Sequence, residues 1–204
     1  MIMEKVELRT ERLTLRAPHD GDVAAITAAC QDPELQARVP IPVPYGVQDA
    51  LDYVHDYCEN GWLTGRIATW AVETDGAFAG VIGVEIKGEG RGEIGFWMAP
   101  EFRGQGLLPE AGREVVSFAF EPDPAGLGLL RLTWRAFGGN VASARVAQKL
   151  GFRFEGVARL GASGRQGLED DWLAGLLSTD DRAPVAWPIL RPTGRRHAEG
   201  RPRH

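Results

Sequence analysis

Ile94-Gly95-Phe96-Trp97-Met98-Ala99-Pro100-Glu101-Phe102-Arg103-Gly104-Gln105-Gly106-Leu107-Leu108-Pro109-Glu110-Ala111 runs from a strand through a glycine-punctuated turn into a helix. Ile94 to Met98 is a short apolar run with β-prone residues. Beyond the turn, Leu108, Ala111, Val115, Phe118 and Ala119 fall on one helical face. Glycines two apart at the mouth of a helix let successive backbone N–H groups turn toward one point, where the helix end adds about half a positive charge. That arrangement suits a pyrophosphate. The same glycines also serve the sterics of a tight strand-to-helix turn, and the segment alone does not separate the two uses.

Upstream, Ala68 to Val72, Phe78 to Ile86 and Ile94 to Met98 read as strands separated by the turn signals Asp75-Gly76 and Lys87-Gly88-Glu89-Gly90, a meander of antiparallel strands. Leu13-Thr14-Leu15-Arg16 predicts an earlier strand, and Val23, Ile26 and Cys30 a helix behind Asp20-Gly21-Asp22. Leu51, Val54 and Cys58 predict a second helix ending near Gly61, after the stiff loop Pro40 to Gly46. Downstream, Leu129 to Trp134 is a further strand. Asn140 caps a short helix with Ala142, Val146 and Leu150 on one face, and Phe152 to Phe154 and Asp171 to Leu177 supply the final strands. A mixed sheet with helices on its faces, α+β or α/β, follows from this order.

The 204 residues, 44% hydrophobic and 25% charged, describe an ordinary globular chain and exclude disordered, collagen-like or coiled-coil classes. One domain over residues 1–181 with a tail over 182–204 is the simplest division. No apolar run reaches the roughly 18 residues of a membrane span, and the N-terminus has no secretory pattern, so a cytoplasmic protein is expected. Cys30 and Cys58 lack metal or disulfide spacing and read as buried free thiols. The net charge of −5 is uneven: residues 182–204 hold six arginines against Glu199, leaving an acidic body. An acidic body disfavours nucleic acid and favours a cationic partner. The Pro- and Arg-rich tail is expected to be extended or disordered.

Other chemistries find little support. Gly90-Arg91-Gly92-Glu93-Ile94-Gly95 matches GxGxxG but leads into a strand, so it reads as a hairpin turn and not a dinucleotide loop. No Walker-type run, nucleophile elbow or metal-spaced histidine set is present, so no metal is expected.

Arg103-Gly104-Gln105-Gly106 resembles the cofactor loop of the GNAT superfamily of N-acetyltransferases, with Glu101 standing where that loop often begins with Gln or Arg. Asn140-Val141-Ala142-Ser143, Lys149-Leu150-Gly151-Phe152 with Glu155-Gly156, and the opening Thr10-Glu11-Arg12-Leu13-Thr14-Leu15-Arg16 resemble the RimJ/RimL-type ribosomal-protein branch. The likeness spans about residues 8–178. It implies a mostly antiparallel sheet whose fourth and fifth strands splay apart to admit the pantetheine of acetyl-CoA. On this likeness the backbone around Trp97, Met98 and Ala99 pairs with the pantetheine amides. Gly104, Gln105, Gly106 and Leu107 cradle the phosphates, Arg103 adds charge, and Asn140 bonds the pantetheine arm besides capping its helix. The acceptor is an amine, a protein N-terminus or a small molecule, and the enzyme a monomer or homodimer.

Acyl transfer needs an amine that has lost its proton and a leaving thiolate that is stabilised. Glu93 shares a strand face with Gly95 and Trp97 by the two-residue period and is the expected general base, against the alternative of a solvated strand-end carboxylate. Ser143 is the expected donor to the thiolate, or else bonds only the first helical turn. A non-catalytic acyl-CoA-binding module of the same fold is the alternative function.

Overall fold

The computed structural model describes residues 3–190. Leu8–Arg9 (β1) and Thr14–Arg16 (β2) edge an antiparallel meander of Ile67–Thr74 (β3), Ala77–Gly88 (β4) and Arg91–Met98 (β5). Arg131–Phe137 (β6), Arg153–Gly164 (β7) and Gly167–Leu177 (β8) complete one sheet of order β1-β2-β3-β4-β5-β6-β8-β7. Every neighbouring pair is antiparallel except β5 and β6. That parallel step follows from the connection: the chain leaves β5 through the helix Leu107–Phe120 and returns in the same direction, as a crossover requires.

The parallel pairing joins Arg91–Ile94 to Arg131–Trp134 and stops there. From Gly95 onward β5 stays on β4, while Arg135–Phe137 stays on β8, so the sheet opens between them. These are the fourth and fifth strands of the sequence reading; the short β1 shifts the count by one. The hairpin turn at Glu89-Gly90 is also as read, with both residues at positive φ.

Period-two alternation decides which side chains meet which helices. Trp70, Val72, Ile82, Val84, Ile94 and Leu132 point to one face and form the main core with Leu107–Phe120 and Val141–Lys149. On the opposite face, Val23–Ala29 (α1), Pro33–Arg38 (α2) and Val47–Asp52 (α3) share a smaller core of Val23, Ile26, Leu35, Tyr45, Ala50 and Val54, against which Phe78 and Trp97 of the sheet pack.

Two local departures from the sequence reading have physical causes. The second helix does not end near Gly61: α3 runs into a π-helical stretch, Tyr53–Glu59, and then Asn60–Thr64 (α4), with Gly65 at φ 68° as the left-handed cap. A Cβ on Gly61 would sit 2.8 Å from that of Ile67, so this glycine permits close approach to β3. Helix α2, which lacks a long periodic pattern, is started by Pro33 and by Asp32, whose carboxylate accepts the Leu35 N–H at 2.9 Å. The crossover helix is α5 and Val141–Lys149 is α6.

The segment after residue 181 is not a free tail throughout. Trp187 is 1% exposed, lies 5.5 Å from the rings of both Trp134 and Phe154, and donates its indole N–H to Phe152 O at 3.0 Å. Ile189 and Leu190 pack on the same core. Its prolines break helix and strand, as read, but three apolar side chains suffice to seat it without either. Arg191, Arg195, Arg196, Arg201 and Arg203, which carry most of the expected basic charge, lie outside the described residues. Cys30 and Cys58 are buried free thiols. No helix among the described residues is long and apolar enough to cross a membrane, and no group of three metal-ligating side chains gathers among them.

Candidate active site at the opening of the sheet

Two cavities enter the opening from opposite sides. The first, of about 300 Å³, runs from Gly104, Gly106, Leu107 and Leu108 along β5 to Asn140, Ser143, Arg145, Val146 and Lys149 of α6. The second, of about 790 Å³, lies between the β3–β5 face and the helices α2 and α3 with their connecting loop. Phe96, Trp97, Asn140, Ser143, Arg38 and Val39 line both, and mark where the two meet.

The glycine turn is built as its sequence suggests. Gly104 and Gly106 have φ of 75° and 79°, a region that favours glycine, and Gly106 is the N-cap of α5. The backbone N–H groups of Gly104, Gln105 and Gly106 make no hydrogen bond among the described residues. With the first-turn N–H groups of α5 they form a cluster of free donors at a helix N-terminus. Gln105 itself is exposed and turns its amide back to Glu101 O at 2.9 Å, while its main-chain N–H stays free.

Two supports of this loop were not read from the sequence. Arg12 donates Nε to Glu110 at 2.7 Å and Nη1 to Gln105 O at 3.2 Å, while the Thr10 hydroxyl donates to the same Glu110 carboxylate at 2.5 Å. Although partial burial works against its charge, these partners hold the Glu110 carboxyl below its ordinary range. The Thr10-Glu11-Arg12 run thus ties the edge of the sheet to the glycine turn. Arg103 differs from expectation: its guanidinium pairs with Asp32 and, at 3.0 Å, with Glu34, and its Nε donates to Met98 O at 3.1 Å. It clamps α2 to the end of β5. The cations on the first cavity without an ion pair among the described residues are Arg38, which donates to a backbone carbonyl, and Arg145 and Lys149, four apart on α6; that i,i+4 spacing was the signal in the sequence for the last two.

On β5, Ala99 is 3% exposed and gives its N–H to Ala79 O at 2.9 Å. By the alternation of an antiparallel ladder, Trp97 also turns its main chain to β4, so Phe96 and Met98 carry the edge that faces the opening.

Asn140 accepts the Ser143 N–H on its side-chain oxygen at 3.2 Å, leaving its amide NH2 free to donate. The Trp134 indole donates to Ser143 Oγ at 3.0 Å. An indole N–H only donates, so Oγ is the acceptor there and the serine proton is directed elsewhere.

Glu93 lies on the wall of the second cavity, 34% exposed, on the same face as Gly95 and Trp97, with no bulge interrupting Glu85↔Glu93, Gly83↔Gly95 and Val81↔Trp97. Lys87 Nζ lies 3.9 Å from Glu93 and 2.8 Å from Glu85. Across the cavity, burial and the Glu85 carboxylate, with smaller contributions from Cys58 and Glu93, raise the Tyr57 hydroxyl above its usual range, so it stays a neutral donor. Arg165 at the β7–β8 turn donates to Gln36 O and, at 2.8 Å, to Ile41 O, fixing the loop that closes one end.

The acetyltransferase (GNAT) domain family matches residues 12–153. The uncharacterized N-acetyltransferase YoaA of Bacillus subtilis is 30% identical over 156 residues, 74% of this chain and 85% of that protein. Among solved structures, RimL, a ribosomal L7/L12 α-N-protein acetyltransferase in complex with coenzyme A, superimposes with a TM-score of 0.75 at 17% identity, over 84% of this chain and 98% of the other. Mycobacterium smegmatis RimJ in complex with a CoA-disulfide gives 0.73 at 21%, over 81% of each chain. At those identities the two structures bear on the fold alone.

Proposed function

The chain belongs to the GNAT family of N-acetyltransferases, which use acetyl-CoA, and from that premise we propose that it transfers an acetyl group directly to a primary amine held in the second cavity. The observation that carries this reading is the meeting of the two cavities at Phe96, Trp97, Asn140 and Ser143, one offering free N–H donors and cations, the other carboxylates. When bound, acetyl-CoA supplies a thioester, an acyl group already activated for attack.

The first cavity fits such a donor on three counts. Free N–H groups at Gly104–Gly106 suit pyrophosphate oxygens, with Leu107 at the first turn of the helix. Arg145 and Lys149 add the positive charge that Arg103, engaged with Asp32 and Glu34, supplies less directly. The open edge at Phe96 and Met98, flanked by Trp97, offers main-chain groups to an extended arm, and the free Asn140 amide donates to a carbonyl of it.

Glu93 removes the ammonium proton, directly or through water; its support is its place on the acceptor wall, one strand face with Gly95 and Trp97. Ser143 donates toward the leaving sulfur, supported by the Trp134 bond that leaves its proton unclaimed. Isothermal calorimetry with CoA, NAD and ATP, followed by mass-spectrometric detection of acetyl transfer, tests the reading. Glu93→Gln should lower kcat by roughly 10² to 10⁴ with CoA affinity unchanged, and part of the rate should return as pH rises and more acceptor arrives neutral. Wild-type kcat in that variant from pH 6 to 9 removes Glu93 from the mechanism. CoA binding with no transfer to any amine would mark a non-catalytic acyl-CoA-binding module instead.

A further inference from the structure

We propose that the second cavity accepts a small alkylamine with at least two protonated amino groups, a diamine or linear polyamine, with one nitrogen at the junction and another among the carboxylates of α3 and the π-helical stretch. This rests on the acetyltransferase reading above and narrows its acceptor.

The floor of the cavity is hollow. Thr69, Gly83 and Gly95 stand side by side across β3, β4 and β5, so two of three strands contribute no side chain. Nothing lies within 4 Å of a Cβ built on Gly95. A Cβ on Gly83 would stand 3.2 Å from Thr69 Oγ1, so glycine there spares the hydroxyl a close carbon neighbour. Thr69 lines the cavity and is 2% exposed; its Oγ1 meets no partner of hydrogen-bond geometry among the described residues, although it lies close enough to the Cys58 thiol to act on it. Buried hydroxyls are nearly always paired, so Thr69 places an unsatisfied dipole under the floor of the hollow, a setting that suits a cation better than an apolar group.

Next to this row, Glu85 and Glu93 stand opposite each other on β4 and β5, an arrangement that is unfavourable unless a cation lies between them. At the outer edge Lys87 meets that demand with its own ammonium, 2.8 Å from Glu85 and 3.9 Å from Glu93. The chain itself thus shows how an ammonium sits on these two carboxylates.

On the roof, Asp49, Asp52 and Asp56 repeat at three- and four-residue intervals along α3 and the π-helical stretch, and line the cavity. Asp49 caps α3 through Gly46 N at 2.7 Å and Asp52 accepts from Gln48 at 2.7 Å, both neutral donors; none of the three has a salt bridge among the described residues. The cations on the walls are Arg135, which pairs with Asp171 at 2.8 Å and also feels the charge of Glu93, and Arg38, which donates to Gly138 O at 3.3 Å; neither makes a salt bridge to Asp49, Asp52 or Asp56. Tyr53 and Tyr57, stacked with centroids 5.4 Å apart, add π faces that favour a cation. A monoamine engages one end of this array; a diamine engages both.

In the step itself the acyl carbon forms a bond to the amine nitrogen and its bond to sulfur breaks. Of the two protons the ammonium nitrogen loses, one leaves through Glu93 to solvent and one ends on the thiol.

The test is acetylation by the full chain with acetyl-CoA, comparing 1,4-diaminobutane and spermidine with n-butylamine and a neutral tetrapeptide bearing a free N-terminus, at fixed pH and salt. The expected kcat/KM for the diamine exceeds that for n-butylamine by about tenfold or more, and the ratio falls as salt rises. Asp52→Asn with Asp56→Asn should narrow the ratio to about two- or threefold, chiefly through KM, while Glu89→Gln on the exposed β4–β5 turn leaves it as in the parent. Because the paired substitution alters a helix, calorimetric binding of spermidine to the parent protein provides a second reading. Equal kcat/KM for mono- and diamine, or a preference for the tetrapeptide, overturns the proposal and leaves acetyltransfer standing. CoA binding with no acetylation of any of the four acceptors overturns the acetyltransferase reading beneath it.

Discussion

Replacing Trp187 by Ala should cost the fold far more than its place near the end of the chain suggests. An indole buried to 1% exposure removes about 150 to 250 Å² from water, which at about 25 cal/mol per Å² is roughly 4 to 6 kcal/mol. Alanine retains a methyl group and the site relaxes in part, which brings the expectation to about 3 to 5 kcal/mol, the range seen for buried aromatic truncations. Loss of the bond from its N–H to Phe152 O adds about 1 kcal/mol. At roughly 2 to 4 °C per kcal/mol for a domain of this size, Tm should fall by about 8 to 24 °C. Thermal and urea unfolding followed by far-UV circular dichroism, with Trp187→Phe as the milder control, measures it. Ending the chain after Asp181 should reproduce the loss. An alanine variant within about 1 °C of the parent would refute the docking of residues 182–190 on the core.

Gly106→Val forces a branched side chain into a left-handed conformation at the mouth of α5, and should weaken CoA binding at least tenfold while Tm falls by only a few degrees; calorimetry decides. Arg12→Ala unties Gln105 O and Glu110 from β2, and should raise KM for acetyl-CoA several-fold with a smaller change in kcat, whereas a kcat-only defect would contradict the bracing role. Asp22, despite burial that opposes its charge, is held below its ordinary value of 3.8 by Arg16 and the His19 N–H. Its depressed pKa contributes stability that is complete above pH 4 and is lost as pH falls below it, so Asp22→Asn should flatten the acid limb of a Tm–pH profile.

The meander, the crossover helix and the glycine turn were legible because each rests on local rules: two-residue alternation, a 3.6-residue apolar repeat, and glycines where φ is positive. The opening between β5 and β6 was expected only through the likeness of residues 10–16, 103–106 and 140–156 to a known family, since no pattern in Gly95 to Met98 says that its neighbour departs. Helix α2 was missed because six residues hold too few apolar positions to show a period. Gly61 was misassigned because a glycine that admits a neighbouring strand and one that caps a helix look alike until the strand is placed. Arg103 illustrates the limit for charges: its place in the turn was right, but its engagement with Asp32 and Glu34 depends on contacts some 70 positions away. Composition also misled at 182–190, where prolines and an arginine outweigh one tryptophan in any average, although that tryptophan decides where the segment lies.

The parallel seam has a consequence for how ligand and stability are linked. Only four residue pairs, Arg91 to Ile94 with Arg131 to Trp134, carry the ladder from the first five strands to the last three. An extended arm laid along Phe96 and Met98 would lengthen that seam without any new contact between the halves themselves. The donor then acts as an interstitial strand, and its free energy of binding becomes cohesion of the sheet. At a hundredfold excess over Kd this amounts to about 2.7 kcal/mol, a substantial part of the stability of a typical domain. A chain that held acetyl-CoA in this way would be sturdier with the donor bound than without it, and its resistance to unfolding would rise with donor concentration.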